Sequence, residues 1–223
     1  MKFLNKSDVW PFLLLLLALA FGVAQLSHLP ADMPTHWNWK GEVDAYTPKT
    51  TLVFTFPLIT AALYLFLSVI PLIDPLRENF ERFPRVYYWI KVSMVFFMTL
   101  VYVGMLLSAR GLPLDVGVLS RLLVGVVIMF LGAVMGKIKK NYFVGIRVPW
   151  TLANEEVWDR THKFGGQLFI LAGVVCVVAA FFAKAYLWLM LGALGGALIA
   201  VTVYSYVVFQ KLKGQRGESF QRV

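Results

Sequence analysis

The sequence predicts an all-α, polytopic membrane protein that crosses the bilayer about six times, with its N and C termini cytoplasmic. Three observations predict it: a composition too apolar for a water-soluble core, six apolar stretches of membrane-crossing length, and a one-sided distribution of Lys and Arg. Of 223 residues, 59% are hydrophobic and 15% charged, against about 25% charged in an ordinary soluble domain. Eighteen Phe, nine Tyr and seven Trp add bulk that a polar surface could not cover at this chain length.

A helix needs about 20 mostly apolar residues to cross about 30 Å of hydrocarbon. Val9 to Ser27, Leu52 to Ile73, Val86 to Leu107, Val116 to Met135, Phe164 to Ala183 and Tyr186 to Phe209 meet that length. The fifth opens on the polar run Gly165, Gly166, Gln167, and little more than Lys184 joins it to the sixth, so these two are expected to form a tight hairpin. The alternating segments of about ten residues that mark a strand barrel are absent. Lys2 and Lys6 ahead of Leu13 to Ala20 resemble a signal peptide, but Gln25, Ser27, His28 and Leu29 make a poor cleavage site, so the first span is expected to stay as an anchor. Cys176 is alone and mid-span, which excludes a disulfide framework and a Cys-based metal site.

Short loops rich in Lys and Arg stay in the cytoplasm. Lys2, Lys6, Arg77, Arg82, Arg85, Lys137, Lys139, Lys140, Arg147, Arg160, Lys163, Lys211, Lys213, Arg216 and Arg222 fall on one side by loop alternation. Only Lys40, Lys49, Arg110 and Lys184 fall on the other, with Lys91 and Arg121 inside spans. The net charge of +9 is therefore topological, with a secondary attraction of the basic tail to anionic lipid; no motif supports direct nucleic-acid binding. The loop from His28 to Thr51 is expected outside and the loop from Gly136 to His162 inside.

In the outer loop Pro30, Pro34 and Pro48 exclude a continuous helix. Trp37 and Trp39 alternate with Asn38 and Lys40, so a short extended piece puts both indoles on one side; anchoring at the headgroups accounts for the same pair. His28, Asp32 and His36 recur every fourth residue, but the prolines remove the helix that would align them, and zinc needs three or four ligands. No metal or other cofactor is expected. In the inner loop Thr151 or Asn154 is placed to cap a helix on which Glu155 and Asp159 share a face, as do Trp158 and His162. The expectation is an amphipathic surface helix that turns into span five at Gly165-Gly166. No nucleophile faces a base, and no G-x-S-x-G, P-loop or H-E-x-x-H motif occurs, so the chain is not expected to be an enzyme.

Within the spans, Arg121 is expected to snorkel towards Asp115, and no acidic residue lies deep enough to serve a proton or cation relay. Gly132-x-x-x-Gly136 and Gly192-x-x-x-Gly196 are spacings that let helices approach closely.

The run from Asn141 through Gly145, Arg147, Pro149, Trp150, Thr151, Asn154, Glu155, Trp158, Thr161 and His162 to Gly166 resembles the signature of the SdpI family of bacterial membrane proteins. Leu29-Pro30, Pro34-Thr-His36 and Gly41-Glu-Val-Asp44 resemble the uncharacterised N-terminal membrane domain often fused to it. The resemblance covers nearly the whole chain and implies a multi-pass protein of the bacterial cell membrane. It implies residues 1–75 as an N-terminal membrane domain with two spans and 76–223 as an SdpI-like domain with four. It further implies immunity to a secreted, membrane-active peptide toxin, and a receptor role that holds a small transcriptional repressor at the membrane. One departure is Gly132-Ala133, where the family often has Asn after the Gly. On this reading His36, Trp37, Asn38, Trp39, Lys40 and Tyr46 are the toxin-contact candidates. The eleven residues named from Asn141 to His162 form an interacting or structural platform at the cytoplasmic face, and the partners are membrane lipid, the toxin and the repressor. Two other classes stay open. A small-molecule permease requires polar side chains converging mid-membrane, and an interfacial enzyme requires Glu155, Asp159 and His162 to converge on a pocket.

Overall fold

A computed structural model describes residues 6–38 and 42–220, the last five as backbone only. Trp39 and Lys40 lie outside the described residues, as do Lys2 and Arg222. The chain forms α1 (Val9–Gln25), a hairpin of β1 (Asp32–Trp37) and β2 (Val43–Pro48), α2 (Lys49–Ile73), α3 (Pro84–Ala109), α4 (Val116–Met135), α5 (Pro149–Ala153), α6 (Glu155–Ala179) and α7 (Ala183–Phe220). Among the described residues six helices are long and apolar enough to cross a membrane, as the hydropathy pattern predicts.

Local chemistry sets the boundaries. Pro84 opens α3, where an amide N–H would have no helical partner. Asp115 caps α4 by accepting the Val118 N–H at 2.9 Å, and Asn154 caps α6 by accepting from Glu156 and Val157. The turn between α3 and α4 places Gly111 at φ +91°, a conformation that costs glycine little.

α1, α2 and α3 pack on one another as a three-helix bundle, and α4, α6 and α7 continue from α3 as a row. The amphipathic helix and span five are one unbroken helix, α6, so the expected turn at Gly165-Gly166 does not occur. Those glycines serve packing instead. A Cβ on Gly166 would lie 2.6 Å from the Gly132 carbonyl oxygen, and one on Gly132 would lie 2.7 Å from that of Gly166. Gly125 and Gly173 repeat the contact one heptad away, so α4 and α6 touch backbone to backbone. Gly192 and Gly196, by contrast, meet nothing within 4 Å.

Two prolines inside α2 shape the N-terminal bundle. Pro57 and Pro71 lack the N–H that the carbonyls four residues earlier, Val53 and Leu67, would accept. Two tyrosines of α3 replace it: Tyr102 Oη donates to the Val53 carbonyl at 3.2 Å, and Tyr87 Oη to the Leu67 carbonyl at 2.5 Å. The two pairs sit near opposite ends of an antiparallel helix pair. An unpaired carbonyl facing hydrocarbon has no water to turn to.

Polar groups inside the bundle add one buried ion pair to the sequence reading and correct one expectation. Asp8, at the start of α1, is buried, and Lys91 of α3 lies 3.0 Å from its carboxylate. Lys91 also donates to Ser68 at 3.0 Å, lies 4.6 Å above the Tyr64 ring, and shares Asp8 with the Tyr64 hydroxyl. A carboxylate therefore sits at the edge of the bundle, where the Tyr64 hydroxyl of α2 and the Lys91 ammonium of α3 offset its desolvation. Arg121 does not snorkel towards Asp115. Its Nε donates to the Ala180 carbonyl at 2.8 Å, completing the C-terminal end of α6 while Asp115 caps α4.

Tyr102→Phe is expected to lower stability by about 1 kcal/mol. That cost should vanish in a Pro57→Ala background, where residue 57 regains an N–H for Val53. Tyr87→Phe with Pro71→Ala should behave alike, and unfolding of the detergent-solubilised protein by SDS measures both cycles.

Candidate functional sites at the two membrane faces

The six spans leave two polar assemblies, one at each end. At the first, β1 and β2 pair antiparallel, with register shifts between Pro34 and His36 and between His36 and Trp37. Leu29 and Met33 are buried and Trp37 half-buried in a cluster with Leu52, Val53, Tyr102, Met105 and Leu106. The hairpin is thus seated on α1, α2 and α3. Lys49 tightens the seat, its Nζ donating to the Leu29 carbonyl at 2.9 Å. The polar candidates point outward: His36 Nδ1 lies 2.5 Å from Asp44 Oδ1, and Asn38 exchanges hydrogen bonds with Glu42 across the turn. Tyr46 is 62% exposed. His28 bonds its neighbour Ser27 rather than Asp32 or His36.

At the other end the Asn141–Gly166 segment folds back onto α6. Asn141 is fully buried; its Oδ1 accepts from the Phe143 and Val144 N–H groups, and its Nδ2 donates to the Lys139 and Val144 carbonyls. All four side-chain hydrogen-bonding positions are used within the loop. His162 is also fully buried: Nδ1 donates to the Trp158 carbonyl at 2.8 Å, and Nε2 accepts the Ile146 N–H at 3.0 Å. Because Nε2 receives a donor, the ring is neutral in this arrangement. Trp158 stacks on it at 4.0 Å and donates Nε1–H to the Ile138 carbonyl.

Gly145 makes this closure fit. It has φ +115°, and a Cβ there would lie 2.3 Å from His162 Nε2. Val148 is extended before Pro149, and Thr151 accepts its N–H at 3.0 Å. Trp150 reaches α7, its Nε1 donating to Ser205 Oγ at 2.7 Å. Thr161 is buried without a partner for its hydroxyl. The carboxylates separate: Glu155 pairs with Arg82 at 2.7 Å and Asp159 with Lys139 at 3.3 Å, while His162 faces the loop backbone. The convergence that an interfacial enzyme requires is not formed. Arg147 remains exposed, with one guanidinium nitrogen on the Tyr142 carbonyl.

Sequence reasoning missed the groups that tie this segment to the N-terminal bundle. Asp74 is buried after α2 and accepts from Leu76 N–H and, across the chain, from Tyr142 N–H at 2.8 Å. Asn79 donates to the Lys140 carbonyl at 2.7 Å, and Arg82 holds Glu155. The Asp74-Pro75 step was a legible turn signal, but its partner 68 residues away was not. Open cavities of about 540 and 510 Å³ lie beside this turn, lined by Leu72, Arg77 and Glu78, and a smaller apolar one of about 200 Å³ lies between α6 and α7 at Ala172 and Gly196.

These features define a multi-pass membrane protein with a strand hairpin at one face and a self-bonded loop-and-helix motif at the other. The comparisons agree with the resemblance in the sequence: residues 137–205 match the SdpI/YfhL protein family and residues 13–61 match a domain of unknown function, DUF1648. The chain is 23% identical over 212 residues to "Immunity protein SdpI" of Bacillus subtilis (strain 168), an alignment covering 95% of this chain and 100% of that protein. No solved structure matches it. The chain is therefore similar to the SdpI/YfhL family in its second half and to DUF1648 in its first.

Gly145→Ala is expected to cost about 1–3 kcal/mol from its backbone conformation alone, and more from the clash with His162. Gly192→Ala, where an added Cβ meets nothing, should stay within about 0.5 kcal/mol. Thermal unfolding in detergent distinguishes the two.

Proposed function

We propose that this chain is an immunity protein of the bacterial cell membrane, which protects against a secreted, membrane-active peptide toxin. Its termini and motif face the cytoplasm and its hairpin faces outward. The observation that carries the reading is end-to-end similarity to an immunity protein. The hairpin adds a physical basis, since it is firmly seated on three spans yet presents Tyr46, Asn38 and the His36–Asp44 pair at the surface. A peptide that partitions into headgroups would meet it before it meets the lipid core. There the hairpin captures or excludes the peptide through apolar contact with Tyr46 and Trp37 and hydrogen bonds from His36 and Asn38.

A signalling branch belongs to the same proposal, in which the motif face holds a small transcriptional repressor while toxin is present. Most motif side chains are spent on internal bonds, so the surface offered to such a partner is that of Tyr142, Arg147, Glu156 and Arg160, all exposed.

Orientation is tested by labelling intact cells with a membrane-impermeant maleimide. Ala45→Cys should react at once, and Lys213→Cys only after permeabilisation; the reverse would invert the topology. Function is tested by survival of toxin-sensitive bacteria expressing the protein, challenged with the peptide toxin that the family's immunity member opposes. Wild type should protect, His36→Ala at matched membrane level should protect less, and Arg147→Ala should protect like wild type. A wild type that gives no protection refutes the reading.

A further inference from the structure

Among the described residues the sheet has two strands, so each strand has one edge outside it. The two edges are not equivalent. β1 carries Pro34 in mid-strand, which has no N–H to give; both strands pack against α2, and β1 packs against α3 as well. β2 carries its proline, Pro48, at its last position, so Val43 to Thr47 keep their N–H groups, and among the described residues they make no backbone hydrogen bond to any element but β1. Asp44, Ala45 and Tyr46 on it are exposed. A row of peptide donors and acceptors at strand spacing is matched by another extended chain and not by a lipid head, whose oxygens cannot follow that alternation.

The charge around this edge selects the chain it would take. Asp32, Glu42 and Asp44 are all exposed on the hairpin, in a protein whose net charge is +9. Asp44 is held by His36, a partner that is a cation only when protonated. An arriving Lys or Arg offers Asp44 a permanent charge in its place. Tyr46, one strand period further along β2, gives an apolar residue of the same incoming strand a surface to lie on.

We propose that the free edge of β2 takes up an extended cationic peptide segment as a third strand, with Asp44 pairing to its basic side chains. This rests on the hairpin being the toxin-facing site, and it names the mode of recognition there: main-chain pairing for affinity, acidic side chains for selection. A peptide held in this way is extended along the headgroups and removed from the helical or inserted forms that breach a bilayer.

The test uses the full-length protein in detergent and a labelled decapeptide of alternating Lys and Val. A second copy of that peptide is N-methylated on alternate residues along one edge, which removes strand donors and leaves charge unchanged. Wild type should bind the parent peptide, and methylation should weaken binding about ten-fold or more, as loss of main-chain pairing requires. Asp44→Asn should weaken parent binding and flatten its salt dependence. Equal binding of both peptides means docking by charge alone and overturns the proposal. No binding of the parent peptide overturns it too, as does a dimeric protein that excludes peptide because β2 pairs with a second copy. The survival assay separates the two layers. Protection by wild type together with methylation-insensitive binding removes strand addition and leaves immunity. Methylation-sensitive binding without protection does the opposite.

Discussion

Hydrocarbon offers no hydrogen-bond partner to a peptide carbonyl, and α2 creates two such carbonyls by carrying Pro57 and Pro71. The N-terminal bundle is organised around meeting that need. Tyr87 and Tyr102 of α3 supply the missing donors at Leu67 and Val53, which fixes both the rotation of α3 and its height against α2. Once α3 is fixed, Lys91 falls beside Asp8 and Ser68, and α1 is drawn in by the ion pair. The hairpin then has a prepared floor, because Tyr102 and its neighbours are the surface on which Met33 and Trp37 rest.

The C-terminal half meets the same requirement differently. α4 and α6 touch along glycines, where dispersion and close backbone approach substitute for a hydrophobic effect that lipid does not provide. At its end the motif loop has little regular structure, so side chains must serve its backbone. Asn141, Thr151, Asn154 and His162 each do so, and Trp158 covers them while bonding the Ile138 carbonyl. The unusual residue types of the motif follow from this arrangement: an amide with four bonds, an imidazole held neutral, and a glycine that leaves room for the imidazole.

Span number and placement were legible in the sequence because hydropathy and length act through the chain alone. The cap at Asn154, one of two candidates with Thr151, was legible for the same local reason. Asp8 was not, since a carboxylate at the edge of a span looks solvated until Lys91, 83 residues later, is folded onto it. Arg121 was misassigned to Asp115 because the true acceptor, the Ala180 carbonyl, carries no side-chain signature. Gly165-Gly166 suggested a break on propensity, and close contact with Gly132 kept the helix intact instead. The motif was recognisable as a string of residues, but its inward orientation depends on contacts between its own members. That orientation turns Asn141, Thr151, Trp158 and His162 towards the structural half of the expectation, since their polar atoms are bonded within the segment.

The two family matches end at residue 61 and begin again at residue 137. Asp74, Asn79 and Arg82, which join the N-terminal bundle to the motif loop through Tyr142, Lys140 and Glu155, all lie in the stretch between them. The compatibility of the two modules is therefore encoded partly outside both, with Tyr142, Lys140 and Glu155 of the second segment meeting partners that neither match contains. A chimera that swapped one matched segment for a relative's would inherit its foreign half intact and still depend on a joint written partly in the stretch between them, so that stretch would have to travel with the segment it serves.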